Sequence, residues 1–257
     1  MKKAFGDLYS LYYDIIYSDK DYSTECDYLV TLFKRHSQFP TRSILELGAG
    51  TGAYSLILAE RGYSITAVDM SRKMLEIARL KSKKRGLDDF VSFKAADMRL
   101  VQLPQKYDAC VSMFAVVNYL GSLDDLKTAC RNVARHLRPG GLFVFDFWNG
   151  GAVTKTGPSP RHKIVKFDGN VLIRLSDSTL DLAHRSATVR FRTFVIKKNR
   201  LFHEFMENHK MRYFFRDEIE EALGAGGLQL LSLHPFLKPD SEASDDDWNV
   251  TAVARRT

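Results

Sequence analysis

Three glycines alternate at Gly48, Gly50 and Gly52, and carboxylates flank them: Glu46 two positions before, Asp69 19 positions after Gly50, and Asp97 beyond. These residue types at this spacing point to ligand-holding chemistry. Glycine lets the backbone turn sharply with φ > 0 and lets a ligand approach with no Cβ in the way. An acid about 20 residues past such a turn can accept both hydroxyls of a ribose. Asp97 can accept from an adenine amine, with Ala96 and Met98 flanking the ring. A second set could carry reaction chemistry: Tyr119, His209 and Tyr13 are the candidate catalytic side chains, and a hydroxyl acceptor would want a general base near pKa 7. His209 shares a strand face with Met211 and Tyr213. Arg190, Arg192, Arg212 and Lys163 could hold a phosphate or carboxylate. Plainer readings stand beside these: His209 as a hydrogen-bonded strand histidine, the arginines as a solvated face. Glu204, Glu207, Lys210 and Arg212 nevertheless make the strand of His209 polar for a buried sheet.

The elements around these residues follow from periodicity. Ile44, Leu45 and Leu47 form a short apolar strand that breaks into the glycine turn; Ala53–Arg61 then has helical spacing. Strand, glycine turn and helix make a nucleotide pocket in an open α/β sheet. Further strands are expected at Ser64–Asp69, Val91–Ala95, Tyr107–Phe114 and Leu142–Phe147. Ser71 caps a helix over Arg72–Arg85, and a helix over Leu123–Leu137 is stopped by Arg138-Pro139-Gly140-Gly141. Near-continuous apolar strands alternating with helices predict a Rossmann-like, seven-stranded, mostly parallel sheet covered on both faces. Asn149-Gly150-Gly151 and Thr156–Pro160 read as loop. Residues 163–214 then alternate with period 2, predicting an antiparallel sheet inserted after strand 5, with hairpins at Asp168-Gly169-Asn170 and Lys197–Arg200. A helix at Arg216–Ala225 and strands at Leu228–Leu233 and Trp248–Ala254 close the main sheet. The expected organisation is an N-terminal helical lid (1–40), a ligand-binding core (41–149), an inserted β subdomain (150–214) and a C-terminal return to the core (215–257). The lid reading rests on Tyr9, Tyr12, Tyr13, Tyr17 and Tyr22, whose phenols offer apolar area with a hydrogen-bonding tip.

At 257 residues, 45% hydrophobic and 27% charged, the chain can bury an ample core. Its net charge of +7 raises the prospect of an anionic partner, although the basic residues are scattered. Cys26, Cys110 and Cys130 are odd in number and lack CxxC spacing, which predicts a reducing, cytoplasmic setting and neither a disulfide framework nor a zinc site. Met1-Lys2-Lys3 has no apolar run behind it, so no signal peptide is expected, and no run is long enough to span a membrane. Asp245-Asp246-Asp247 reads as a solvated turn, with no companion ligands for a metal.

Glycine spacing alone leaves two ligands open, a dinucleotide or S-adenosylmethionine (SAM). Glu46 separates them on electrostatics. A pyrophosphate beside a buried carboxylate is costly, whereas a cationic sulfonium or amino group is favoured. Glu46–Gly52, Asp69–Leu75, Ala96-Asp97-Met98, Tyr107-Asp108 and Leu137–Gly141 together resemble the motif series of class I SAM-dependent methyltransferases. Tyr12–Tyr17 with Lys20-Asp21-Tyr22, Met113–Leu120 and the inserted β region are similar to small-molecule members of the nucleotide-linked amino-sugar N-methyltransferase type; Asp146-Phe147-Trp148-Asn149 departs from that group. The resemblance implies a tyrosine-rich N-terminus closing over SAM and acceptor, and a β insertion that forms the acceptor site or a homodimer contact. The cofactor set is then Tyr13, Tyr17, Glu46, Gly48, Ala49, Gly50, Gly52, Asp69, Met70, Met74, Ala96, Asp97, Met98 and Met113, with S-adenosylhomocysteine as product and no metal. The expected reaction is in-line methyl transfer to a small molecule, an amine ahead of a hydroxyl, in which alignment contributes on the order of 7–11 kcal/mol. A nucleic-acid methyltransferase, a non-catalytic SAM- or S-adenosylhomocysteine-binding protein and an NAD-linked dehydrogenase are the competing readings.

Overall fold

The computed structural model describes residues 5–257, so Met1-Lys2-Lys3 lies outside the described residues. Two helices come first, α1 (Asp7–Ile16) and α2 (Tyr22–His36), the second opened by Asp21, whose carboxylate accepts from Thr24 N at 3.0 Å. Then β1 (Ser43–Leu47), α3 (Ala53–Glu60), β2 (Ser64–Asp69), α4 (Arg72–Arg85) and β3 (Val91–Ala95) alternate. Ser71 caps α4 by accepting from Met74 N at 3.3 Å, and Gly86 ends it in the left-handed region at φ 67°. β4 (Tyr107–Ser112), a 3-10 turn (Val116–Tyr119), α5 (Leu123–His136) and β5 (Leu137–Trp148) complete the first half.

The strands lie in the order β3, β2, β1, β4, β5, and the order reverses between β1 and β4, where ligands bind in open α/β sheets. The chain returns at its end through α7 (Arg216–Ala225), β10 (Leu228–Pro235) and β11 (Asn249–Arg256). β11 runs antiparallel to both β5 and β10, which closes a seven-stranded, mostly parallel sheet. Period-2 side chains on β5 fill both layers. Phe143, Phe145 and Phe147 pack with Leu126, Ile219 and Leu223 on one face, while Leu142 and Val144 meet Leu29, Leu56 and Phe33 on the other. Each such buried side chain contributes roughly 1.5–3 kcal/mol. Cys26, Cys110 and Cys130 are buried free thiols within these layers.

Between the halves lie α6 (Gly150–Thr156) and a four-stranded antiparallel sheet of β6 (Arg161–Phe167), β7 (Asn170–Asp181), β8 (Ser186–Lys197) and β9 (Arg200–Arg212). Lys198 and Asn199, at φ 48° and 58°, form the two-residue β8–β9 turn whose twist matches paired strands. Two sequence expectations are corrected here. Gly150, Gly151 and Thr156, read as loop, belong to a helix: the Asn149 side chain accepts from Gly151 N at 3.3 Å, and Ala152 and Val153 are buried. β5 begins at Leu137, directly after α5, so Arg138-Pro139-Gly140-Gly141 lies inside a strand instead of ending a helix. Among the described residues no helix is long and apolar enough to cross a membrane.

Candidate functional site

The glycine turn is built by backbone conformation. Gly48 and Gly50 take φ of 81° and 55°, a region that side chains with a Cβ rarely enter. A Cβ on Gly48 would clash with Val116 Cγ1, while one on Gly50 would meet nothing within 4 Å, so open space faces Gly50. Asp69, at the end of β2, ties the turn down. Its Oδ2 accepts from Gly50 N at 2.8 Å and its Oδ1 from Ser71 N at 2.7 Å. Burial raises the Asp69 pKa, with those N–H groups opposing. Each oxygen keeps a second lone pair for a further donor.

α1 joins this turn to the inserted sheet. Asp14 accepts from Thr51 Oγ1 at 2.6 Å and from Lys81 Nζ at 2.9 Å. On its other side Tyr12 Oη meets His203 Nδ1 at 2.9 Å, and Arg174 Nη1 donates to Tyr17 Oη at 3.0 Å. Tyr9, Tyr12 and Ile16 pack with Leu172 and Val195 of the inserted sheet.

The space enclosed by the turn, the carboxyl ends of the strands, α1 and the inserted sheet is one cavity of about 1650 Å³. It brings together Tyr13, Tyr17, Gly48, Ala49, Gly50, Asp69, Met70, Met74, Ala96, Asp97, Met98, Met113, Tyr119 and His209. Glu46 and Gly52 stand off its wall. Glu46 is buried behind the turn, where Ser55 Oγ donates to it. Burial lifts its carboxyl to about 8, so at neutral pH it carries a proton, and the charge argument drawn from its sequence position does not hold in this state. Gly52 gives room to a neighbouring helix: a Cβ there would lie 3.1 Å from Ala78 Cβ. Asp97 is on the wall but engaged, because Arg99 Nε and Nη2 hold its carboxylate and depress its pKa.

Also on the cavity wall, Tyr119 Oη lies 2.6 Å from His209 Nδ1, and the imidazole is ringed by Phe5, Tyr9 and Phe191 at centroid distances of 5.1–5.3 Å. Burial first, and Arg174 second, push His209 down to about 4. It is neutral at pH 7 and too weak for the general base near 7 that a hydroxyl acceptor would want. Burial likewise raises Tyr119 and Tyr13, which stay protonated.

Of the four expected anion-binding cations, only Lys163 reaches the cavity. Arg190 pairs with Asp177, Arg192 with Glu204 and Arg212 with Glu218. The alternation of β8 explains this: Val189 and Phe191 face the cavity, so Arg190 and Arg192 face away. The basic wall is made instead by Arg161, His162, Lys163 and Arg174. The Arg174 guanidinium lies 5.0 Å from the Tyr17 ring centre and 4.7 Å from that of Phe191.

Phe114, Trp148 and Asp146 also line the cavity, and none of them is among the expected site residues. Asp146 ends β5, and the strand-end rule that finds Asp69 also reaches it. Phe114 and Ala115 take φ of 72° and 56°, with no glycine to signal it.

The site offers open space before a glycine turn, a carboxylate with two accepting oxygens, and thioether and aromatic walls. Residues 44–141 match the family described as a methyltransferase domain. The chain is a class I SAM-dependent methyltransferase. This methyltransferase is 28% identical to the dTDP-3-amino-3,4,6-trideoxy-alpha-D-glucopyranose N,N-dimethyltransferase of Streptomyces venezuelae, over 88% of this chain and 90% of that one. It is 27% identical to the dTDP-3-amino-3,6-dideoxy-alpha-D-glucopyranose N,N-dimethyltransferase of Streptomyces fradiae, over 85% and 82%. In fold it is similar to a SAM-dependent methyltransferase from Clostridium acetobutylicum, with a TM-score of 0.81, 22% identity and 97% of each chain covered.

Proposed function

We propose that this methyltransferase moves the methyl group of SAM to an amine on a nucleotide-linked sugar, leaving S-adenosylhomocysteine. The observation that carries the reading is the cavity: its volume exceeds the ~300–1,000 Å³ of a single-ligand pocket, and its two ends differ in chemistry. The glycine turn and Asp69 suit the nucleoside of SAM. The end lined by Arg161, Lys163 and Arg174 suits a diphosphate, and similarity to the two dTDP-amino-sugar enzymes supports the same acceptor.

SAM supplies an electrophilic methyl on a sulfonium. The chain's part is to hold and to exclude water. Asp69 fixes the ribose, Gly50 lets the turn approach, and Tyr13 on α1 with Tyr17 just past its end cover the pocket from solvent as a lid. Arg174, stacked on Tyr17 and Phe191, orients the acceptor phosphate. His209 is too weak a base to activate a hydroxyl, and a neutral amine needs no base to expose its lone pair. β9 pairs only with β8 among the described strands, and its open edge supports self-association through the inserted sheet. The test is a mass measurement after incubation with SAM and dTDP-3-amino-3,6-dideoxy-α-D-glucose. A gain of one or two methyl groups on the sugar supports the reading, and no gain on any dTDP-amino sugar overturns it.

A further inference from the structure

Five carboxylates reach the cavity: Asp7, Asp19, Asp69, Asp97 and Asp146. Four are exposed or engaged. Asp7 is exposed in the first turn of α1, Lys163 holds Asp19, two backbone N–H groups hold Asp69, and Arg99 holds Asp97. Asp146 differs from all of them. It is 4% exposed and sits at the carboxyl end of β5. Its Oδ1 accepts from Ala115 N at 2.9 Å, and among the described residues none donates a hydrogen bond to Oδ2. The Ala115 contact anchors the Phe114–Ala115 turn, two consecutive left-handed residues that cost roughly 1–3 kcal/mol each and persist only where surroundings enforce them. Lys20, whose charge acts on Asp146, is drawn off by Glu25 and by the Phe114 ring, 4.6 Å from its Nζ. A desolvated carboxylate with one oxygen spare and open to a cavity calls for a hydrogen-bond donor from the ligand.

We propose that Asp146 is the amine anchor of the acceptor: its free Oδ2 hydrogen-bonds the reacting nitrogen and takes the proton that nitrogen sheds on methylation. This rests on the amine-acceptor reading above. The neutral nitrogen gives its lone pair to the methyl carbon, and the carbon–sulfur bond breaks with its electron pair staying on sulfur. The nitrogen is now cationic, and one N–H proton passes to Oδ2. The amine is neutral again, and the carboxylic acid returns the proton to solvent through the open cavity. The groups facing Asp146 are Lys20 before α2, Glu25 and Tyr28 on α2, Tyr54 on α3 and the Ala115 N–H. Burial outweighs Ala115 and Lys20 and lifts the carboxyl to about 7, near the working pH of a proton acceptor. Neither His209 at about 4 nor Glu46 behind the turn competes for that role.

The test compares Asp146→Asn with the wild type in the full chain loaded with S-adenosylhomocysteine. Asn keeps an oxygen for Ala115 N and removes the proton acceptor. Calorimetry measures binding of dTDP-3-amino-3,6-dideoxy-α-D-glucose and of its hydroxyl counterpart, dTDP-6-deoxy-α-D-glucose. The wild type is expected to prefer the amine by about tenfold or more, the worth of one charge-assisted hydrogen bond. Asp146→Asn should erase that preference while its Tm and S-adenosylhomocysteine affinity stay near wild type. Wild-type preference retained in Asp146→Asn overturns the proposal and leaves the amine-acceptor reading standing. Failure of the wild type to bind either sugar overturns both.

Discussion

Replacing Asp69 with Ala is the sharpest single perturbation of the cofactor end. The carboxylate holds the glycine turn through Gly50 N at 2.8 Å and Ser71 N at 2.7 Å, and its remaining lone pairs face the cavity. Hydrogen bonds to a charged group are worth about 1.5–3 kcal/mol each. Losing two to a ribose removes about 3–6 kcal/mol, which is on the order of 10² to 10⁴-fold in Kd. The loss of the turn's own anchors adds to this, so the upper half of that range is expected. Asp69→Asn keeps one acceptor oxygen and should fall between the two. The assay is titration calorimetry of SAM against each variant at pH 7.5, with circular dichroism to confirm folding. A folded Asp69→Ala protein that binds SAM within about threefold of wild type would refute the ribose assignment and the reading of the turn built on it.

Three further outcomes follow from the same geometry. Glu46, lifted to about 8, holds a proton in the folded state that the unfolded chain releases near 4.5, so stability of the unliganded protein falls as pH rises from about 4.5 to 8 and then levels off. Glu46→Gln should therefore match wild type in Tm at pH 5 and exceed it by about 5–10 °C at pH 8; equal Tm at both pH values would contradict the burial argument. Gly48→Ala combines a left-handed φ with a clash against Val116 and should abolish SAM binding, whereas Gly62→Ala, also left-handed but in open space, should cost only about 1–2 kcal/mol of stability and leave binding intact. Arg174→Ala should raise KM for the dTDP-amino sugar about tenfold or more with SAM affinity unchanged, and an unchanged KM would remove Arg174 from the phosphate site.

How far the sequence reveals this molecule depends on whether a feature is local. The strand–glycine–helix unit is local: the left-handed turn needs glycine, and the strand and helix periods on either side are clean, so Gly48, Gly50 and Asp69 could be read directly. α6 could not. Gly150 and Gly151 are poor helix formers, and the helix exists because their missing Cβ atoms admit Phe215 and Asp245, contacts made only in the folded chain. The Phe114–Ala115 turn has no local signal either, since the Asp146 contact that holds it comes from another strand. Sheet parity decided the cations. Sequence placed Arg190 and Arg192 on a strand, but which face met the cavity depended on how the inserted sheet packs, and they face away. Protonation was the least legible property. Glu46 and His209 depart from ordinary behaviour through depth of burial, which spacing along a chain does not encode.

The central claim is methyl transfer from SAM to a sugar amine within one cavity. Its most direct test is incubation of the protein with SAM carrying a deuterated methyl group and dTDP-3-amino-3,6-dideoxy-α-D-glucose, followed by mass spectrometry of the nucleotide sugar. The account predicts label on nitrogen, appearing in step with S-adenosylhomocysteine and lost in Asp69→Ala. Label on oxygen or none at all, with SAM bound normally, would contradict it.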